Sequence, residues 1–372
     1  MKDSKVYFEN LDGVRGLAFL AVFLYHVFGY MNYDAGNGIE NFFIQNIFLV
    51  GNLGVNLFFV LSGFLITYLL LKEKEIKGKI NIKHFYMRRV LRIWPLFYLV
   101  LIIGFFVYPF LIHKFNLNDV KEHLIYYVGF LNNFDRIQTE FVGVGNDSLG
   151  VLWSIAVEEQ FYLFWPILLQ LLPKKQIPIL MFLIIAVSLF FRYYSLGNES
   201  VLYFSTFSVM SDLAIGGLSA WLILYHQAFV THIENLSPLV IKSAYLIFIL
   251  SFISFKYWMN FNEVTRTGER LFLSLFFSFI ILEQCFSLNS FFKLKNFKRL
   301  SQLGLISYGL YCLHLFSISF VQKVNSIFCL TKLNGFQFYA ELFVCLVLSI
   351  GICYLSYNYF EKKLLRYKTR YA

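Results

Sequence analysis

Charge is scarce in this chain. Only 15% of its 372 residues are Asp, Glu, Lys or Arg, against 58% hydrophobic and 20% aromatic. An ordinary soluble domain carries about 25% charged residues, so a single water-facing globule would have to leave whole apolar faces in solvent. Cysteine is sparse too. The five that occur all fall from Cys285 onward, with no CxxC spacing, which excludes a secreted disulfide scaffold. Six prolines and 22 glycines are too few for a low-complexity chain, and 46 Phe with 25 Tyr exclude intrinsic disorder. Positive charge does exceed negative, by +10, but the basic residues sit between apolar runs and form no nucleic-acid face. The composition is that of a polytopic membrane protein.

A helix needs about 20 mainly apolar residues to cross the hydrocarbon core. Ten such runs are predicted, over residues 14–31, 49–71, 93–112, 149–172, 177–195, 204–225, 239–258, 271–287, 303–323 and 338–360. No stretch has the short alternation of a transmembrane β-barrel. The expected fold is therefore an all-α integral-membrane bundle of about ten transmembrane helices. With both termini placed in the cytoplasm, 21 of the 32 Lys and Arg fall on the cytoplasmic side and nine outside, the positive-inside pattern. The longest outer connection, residues 113–148, is near the floor for independent folding and ends in a loop-like cluster, Gly143, Gly145, Asn146, Asp147 and Ser148. One domain, residues 1–372, is expected.

Polar residues inside the apolar runs are expensive and mark function by default. In LDGVRGLAFLAVFLYH, Arg15 and His26 are 11 positions apart, about three helical turns, so they share a face with roughly 16 Å between them. Asp12 joins that face. Taken alone, Arg15 suits a snorkelling anchor and His26 a satisfied core histidine. A histidine facing a polar cavity is equally a natural general base. In LWSIAVEEQFYLFWP, Ser154 and Glu158 stack four apart while Glu159 points about 100° away. A structural ion pair is the plain alternative there. In HFYMRRVLRIWP, Arg88 and Arg92 share a face with Arg89 beside them, inside a segment, 72–92, that holds eight basic and two acidic residues. Such a group anchors topology or touches anionic lipid, or binds a polyphosphate through planar guanidinium groups. Weaker signals are Ser62 and Gly63 in FFVLSGFLIT, Asp212 in SDLAIGGLSAW, His314 in SYGLYCLHL, and Glu283 as a cap of its helix.

These blocks, in this order and over nearly the whole chain, resemble the acyltransferase-3 family of integral-membrane acyltransferases, which includes bacterial O-antigen and exopolysaccharide O-acetyltransferases. LDGVRGLAFLAVFLYH is similar to its Arg-x10-His signature, FYMRRVLRIWP to its basic block, and LWSIAVEEQFYLFWP to its Trp-Ser-x-x-x-Glu-x-Gln-Phe-Tyr block. YFEKK departs from the family's Glu-x-Pro-like ending, with Lys363 where the proline would stand. The resemblance implies a bacterial inner-membrane enzyme that moves an acetyl group from cytoplasmic acetyl-CoA, with no metal, to a hydroxyl of a lipid-linked or polymeric glycan such as O-antigen or exopolysaccharide. It implies catalytic roles for Arg15, His26, Ser154 and Glu158, and donor binding by Arg88, Arg89 and Arg92. It also implies the stand-alone form without an appended extracytoplasmic esterase-like domain. His26 is expected as general base in preference to acyl carrier. A proton-coupled secondary transporter is the rival class, since intramembrane His, Glu and Asp also build proton relays. No pair of matching broken spans favours it.

Overall fold

The computed structural model describes residues 7–31, 33, 36, 38–140, 147–328 and 335–371. The expected loop cluster at 143–146 lies outside them, as do Lys2 and Lys5 at the start. The described chain is helical throughout, with no β-strand among its residues. Its main helices are α1 (Asn10–Tyr30), α2 (Gly54–Lys77), α3 (Ile82–Ile102), α4 (Asn132–Gln138), α5 (Trp153–Leu171), α6 (Ile177–Tyr194), α7 (Thr206–Tyr225), α8 (Pro238–Ile253), α9 (Glu263–Phe286), α10 (Lys298–Leu305), α11 (Ser307–Ile327) and α12 (Gly335–Ser356).

Each of the ten apolar runs falls on helix. Six stretches are long and apolar enough to cross a membrane: Asn10–Tyr30, Ile39–Lys77, Ile82–Leu111, Ile177–Tyr194, Glu199–Tyr225 and Gly335–Leu365. Two bent pairs, Gln227–Glu234 with α8 at 86° and α10 with α11 at 83°, bring the number to eight if each is one span. The two other expected runs are α5 and α9. α5 carries Glu158, Glu159 and Gln160, and α9 carries Glu263, Arg266, Glu269, Arg270 and Glu283, so neither is apolar enough by itself. Glu269, Arg270 and Glu283 of α9 are buried within the bundle, while Glu263, in its first turn, is exposed. Outward faces are apolar instead, with Phe182 and Leu183 of α6 and Phe343 of α12 exposed.

Close backbone approach sets the centre of the bundle. A Cβ on Gly63 of α2 would strike the Leu213 carbonyl of α7, and one on Gly216 of α7 would strike the Val60 carbonyl of α2. Small residues let two helix backbones meet, and the resulting packing drives association where lipid is as apolar as leucine. Gly304 of α10 meets the Asp12 backbone of α1 in the same way. The α10–α11 bend therefore turns directly beside the first turn of α1.

Both described ends of the chain lie at one end of the bundle. Phe8 stacks edge-on against Tyr68 of α2 and Phe286 of α9, at 5.2 and 5.8 Å. The Tyr371 carbonyl accepts a hydrogen bond from Arg88 Nη1 at the start of α3, at 2.6 Å. The 288–297 connection is tied to the same end, where Lys293 Nζ donates to the Glu283 and Gln284 carbonyls at 2.8 and 2.9 Å. Glu283 itself accepts from Tyr245, Gln284 and Ser290, which pins the connection that follows; its carboxylate does not cap α9 as expected, since the end carbonyls need a donor and Lys293 supplies it. The described cysteines, Cys285, Cys312, Cys345 and Cys353, are unbridged.

Candidate active site

At this end of the bundle a cavity of about 350 Å³ runs inward between α1, α2, α3, α5 and the α10–α11 bend. Ligand pockets of about 300–1,000 Å³ are typical. Its mouth is built by the first turn of α1. Asp12 Oδ1 accepts from Arg15 Nη1 at 2.6 Å, and its other oxygen accepts from the Tyr7 hydroxyl. That hydrogen bond, with burial and the nearby carboxylate charge, pushes the Tyr7 hydroxyl up to about 12, so it stays a donor.

Arg89 and Arg92 enter the cavity from α3. Arg89 lies over the Tyr162 ring at 5.3 Å and the Phe85 ring at 5.8 Å, a cation–π arrangement that leaves its donors free of any carboxylate. Arg92 is exposed to the cavity and makes no hydrogen bond or ion pair among the described residues. Arg88 points elsewhere. It is held by Glu73, 3.5 Å away, and by the Tyr371 carbonyl, and is not among the lining residues. Three guanidinium groups and two carboxylates, Asp12 and Glu158, thus line one space whose walls are otherwise largely apolar.

The deep wall comes from α5 and α11. Ser154, Glu158 and Tyr162 repeat every fourth residue and cover about 12 Å of one face of α5. Glu158 Oε2 accepts from the Tyr162 hydroxyl at 3.2 Å, and Ser62 Oγ reaches the same hydroxyl. Ser154 Oγ lies 2.8 Å from the Tyr311 hydroxyl, and both reach the Val151 carbonyl, at 3.2 and 3.1 Å. None of these partners is a base, so the hydroxyl of Ser154 is anchored and not activated as a nucleophile. Glu159, on another face of α5, accepts from Trp94 Nε1 at 2.9 Å and does not line the cavity.

His26 is not among the lining residues either. It sits further along α1, partly exposed, with Nδ1 2.8 Å from the Val22 carbonyl and 3.2 Å from Nε2 of the fully buried His314. Tyr311, which lines the cavity, and His314 are three apart on α11 with ring centroids 6.0 Å apart, so the histidine pair adjoins the cavity through this residue. The structure thus joins Arg15, Arg89, Arg92, Ser154 and Glu158 in one cavity, sets His26 behind it, and leaves Arg88 outside. Sequence reasoning passed over the tyrosines Tyr7, Tyr162, Tyr308 and Tyr311, although three of them lie in the blocks already singled out. The pairing of His26 with His314 joins residues 288 apart and has no local signal. Among the described residues no group of three or more His, Cys, Asp or Glu is placed to hold a metal ion.

A second polar cluster joins α6, α7 and α9 away from the cavity. Arg270 pairs with Asp212, whose Oδ1 also accepts from Ser274 at 2.7 Å. Arg192 pairs with Glu269 at 2.8 Å, and Arg266 bridges Glu269, at 2.9 Å, to Glu199. Asp212, isolated in the sequence, is one half of a buried ion pair.

A family model described as an acyltransferase domain matches residues 8–358. The chain belongs to the acyltransferase-3 family. Family relatives include "Peptidoglycan O-acetyltransferase OatA" of Listeria monocytogenes, 30% identical over 334 residues that cover 84% of this chain and 49% of that protein. A protein named a putative O-acetyltransferase in Staphylococcus aureus is 30% identical over 375 residues, covering 95% of this chain and 57% of that one. "Putative peptidoglycan O-acetyltransferase YrhL" of Bacillus subtilis is 27% identical over 370 residues, covering 96% and 54%. The chain spans about half the length of these family relatives. No solved structure matches it.

Proposed function

We propose that this chain is a membrane O-acetyltransferase that moves acetyl from acetyl-CoA to a hydroxyl of a cell-envelope glycan. The observation that carries this reading is the cavity in which Arg15, Arg89 and Arg92 converge, three guanidinium groups against the carboxylates of Asp12 and Glu158, with Arg92 in no ion pair. Coenzyme A presents a diphosphate and a 3′-phosphate, which planar guanidinium groups hold through paired hydrogen bonds. The apolar walls inward of the arginines suit the pantetheine arm. Its reach is comparable to the roughly 16 Å that separates Arg15 from His26 along α1.

In the proposed reaction His26 takes the proton of the acceptor hydroxyl as its oxygen bonds to the thioester carbonyl carbon. The carbon–sulfur bond then breaks, and the thiolate recovers a proton as CoA-SH. Arg15, placed at the mouth, belongs with the donor phosphates, while Ser154 and Glu158 line the path of the thioester. On this reading ten spans cross a bacterial inner membrane, with α5, α9 and the two bent pairs counted as four of them. Both termini and the cavity mouth then face the cytoplasm, the side where acetyl-CoA is made. The acceptor class is taken from the peptidoglycan O-acetyltransferase relatives in place of O-antigen or exopolysaccharide, so an N-acetylated amino-sugar polymer is the first to test.

The test is thiol release from acetyl-CoA by detergent-purified protein, with and without chitotetraose. Wild type should release CoA-SH, and His26→Ala should lower turnover by about 10²–10⁴-fold, the usual worth of a positioned general base, while folding and donor binding persist. A transporter or scaffold would release no thiol. Near-normal turnover by His26→Ala would end both the general-base and the acyl-carrier roles.

A further inference from the structure

The histidine pair has a direction that its hydrogen-bond partners determine. His314 Nδ1 lies 3.1 Å from the Leu310 carbonyl and 2.9 Å from the Tyr311 carbonyl. Both are acceptors only, so this nitrogen carries the hydrogen, and in the neutral ring Nε2 is left as an acceptor. That Nε2 faces His26 Nδ1 at 3.2 Å, and the Val22 carbonyl faces the same atom at 2.8 Å. Two acceptors converge on His26 Nδ1, so the hydrogen is there and Nε2 of His26 is the bare nitrogen. The opposite tautomer of either ring would aim a lone pair at a carbonyl oxygen.

His314 has no other polar partner among its described contacts. It is fully buried, edge-on to Phe19 and Phe23 at 5.9 and 6.3 Å. An apolar ring would fill that volume without the cost of burying two polar nitrogens. What the imidazole adds is one acceptor aimed at His26, the arrangement by which a second group selects the tautomer of a working histidine.

We infer that His314 is a positioning residue: it holds His26 in the form whose Nε2 is unprotonated, and it goes on accepting the hydrogen bond from Nδ1 when His26 takes up a proton. The inference rests on the general-base reading above. In it the hydroxyl proton passes to His26 Nε2, and the positive ring that results keeps its Nδ1 hydrogen directed at His314 Nε2 and the Val22 carbonyl.

Two variants and one spectrum test it. His314→Phe keeps the ring volume and deletes the acceptor, whereas His314→Gln brings an amide oxygen near the lost Nε2. For acetyl-CoA turnover in detergent, His314→Phe should lower kcat on the order of tenfold or more with donor KM unchanged, the cost of removing a group that orients a functional histidine. His314→Gln should recover most of that loss. Nitrogen-15 spectra of the His26 ring in the wild-type protein, assigned by difference from His26→Ala, should show the Nδ1–H form. Wild-type kcat in His314→Phe, or a His26 ring in the Nε2–H form, would overturn the inference. Loss of turnover in His26→Ala with none in His314→Phe would remove only the role of His314, whereas turnover surviving His26→Ala would remove the general-base reading itself.

Discussion

Two groups of arginines lie within this bundle, and they differ in how they are matched. In the cluster between α6, α7 and α9, Arg192, Arg266 and Arg270 face Glu199, Glu269 and Asp212, three cations against three carboxylates, each arginine in an ion pair. In the cavity, three arginines meet two carboxylates: Arg15 pairs with Asp12, Glu158 lines the deeper wall, Arg89 lies on aromatic rings, and Arg92 forms no ion pair. A charge inside a membrane protein costs free energy that something must offset. Where protein supplies the counter-charge, the arginine fastens helices together. Where it does not, and the guanidinium faces a cavity, the missing anion is left for a ligand to bring. Residue type is the same in both places, and the bookkeeping of charge separates them.

The largest effect expected from this contrast is on stability. Asp212→Ala leaves Arg270 buried without its partner, and breaking a buried pair costs about 3–5 kcal/mol. Thermal unfolding in detergent should show that loss, while the protein that remains folded binds acetyl-CoA as wild type does. A changed donor affinity would mean the two clusters are coupled.

Next in size is the cavity. Arg92→Lys or Arg89→Lys keeps a positive charge but loses the planar fork, and hydrogen bonds to charged groups contribute about 1.5–3 kcal/mol each. The apparent Kd for acetyl-CoA should therefore rise about tenfold or more, a change of about 1.4 kcal/mol per decade, with the melting temperature unmoved. The smallest effect belongs to Arg88→Lys. Its side chain is held by Glu73 and the Tyr371 carbonyl outside the cavity, so donor affinity should stay near wild type. Wild-type affinity in all three variants would mean that net charge at this end of the bundle, and not cavity geometry, governs binding.

Much of this was legible in the chain. The ten apolar runs all fall on helix, the conformation in which a long apolar run satisfies its own backbone hydrogen bonds, and six to eight of them are long and apolar enough to cross a membrane. Helical spacing correctly grouped Arg15 with Asp12 and stacked Ser154 under Glu158. It also turned Glu159 to a different face, where Trp94 meets it. Spacing within one helix says nothing of partners on another. Arg88 and Arg92 share a face by arithmetic, yet Glu73 and the chain's far end draw Arg88 away. Asp212 read as an isolated carboxylate because Arg270 lies 58 residues further on. The bends at 235–237 and at Ile306 were not foreseen, since the first lies just ahead of the 239–258 run and the second falls inside the 303–323 run, which read as one continuous span. Gly304 and its contact with the Asp12 backbone explain the second bend, and that contact exists only once the bundle has formed.

The central claim is that the unmatched arginines of the cavity hold the phosphates of an acyl-CoA. Titration of the purified wild-type protein with acetyl-CoA and with S-acetylpantetheine, which carries the same thioester and no phosphate, tests it most directly. Acetyl-CoA should bind at least about tenfold tighter, as expected if even one charge-assisted hydrogen bond to a phosphate contributes its usual 1.5–3 kcal/mol, and Arg92→Lys should narrow the difference. Equal affinity for the two thioesters in the wild-type protein would contradict the claim.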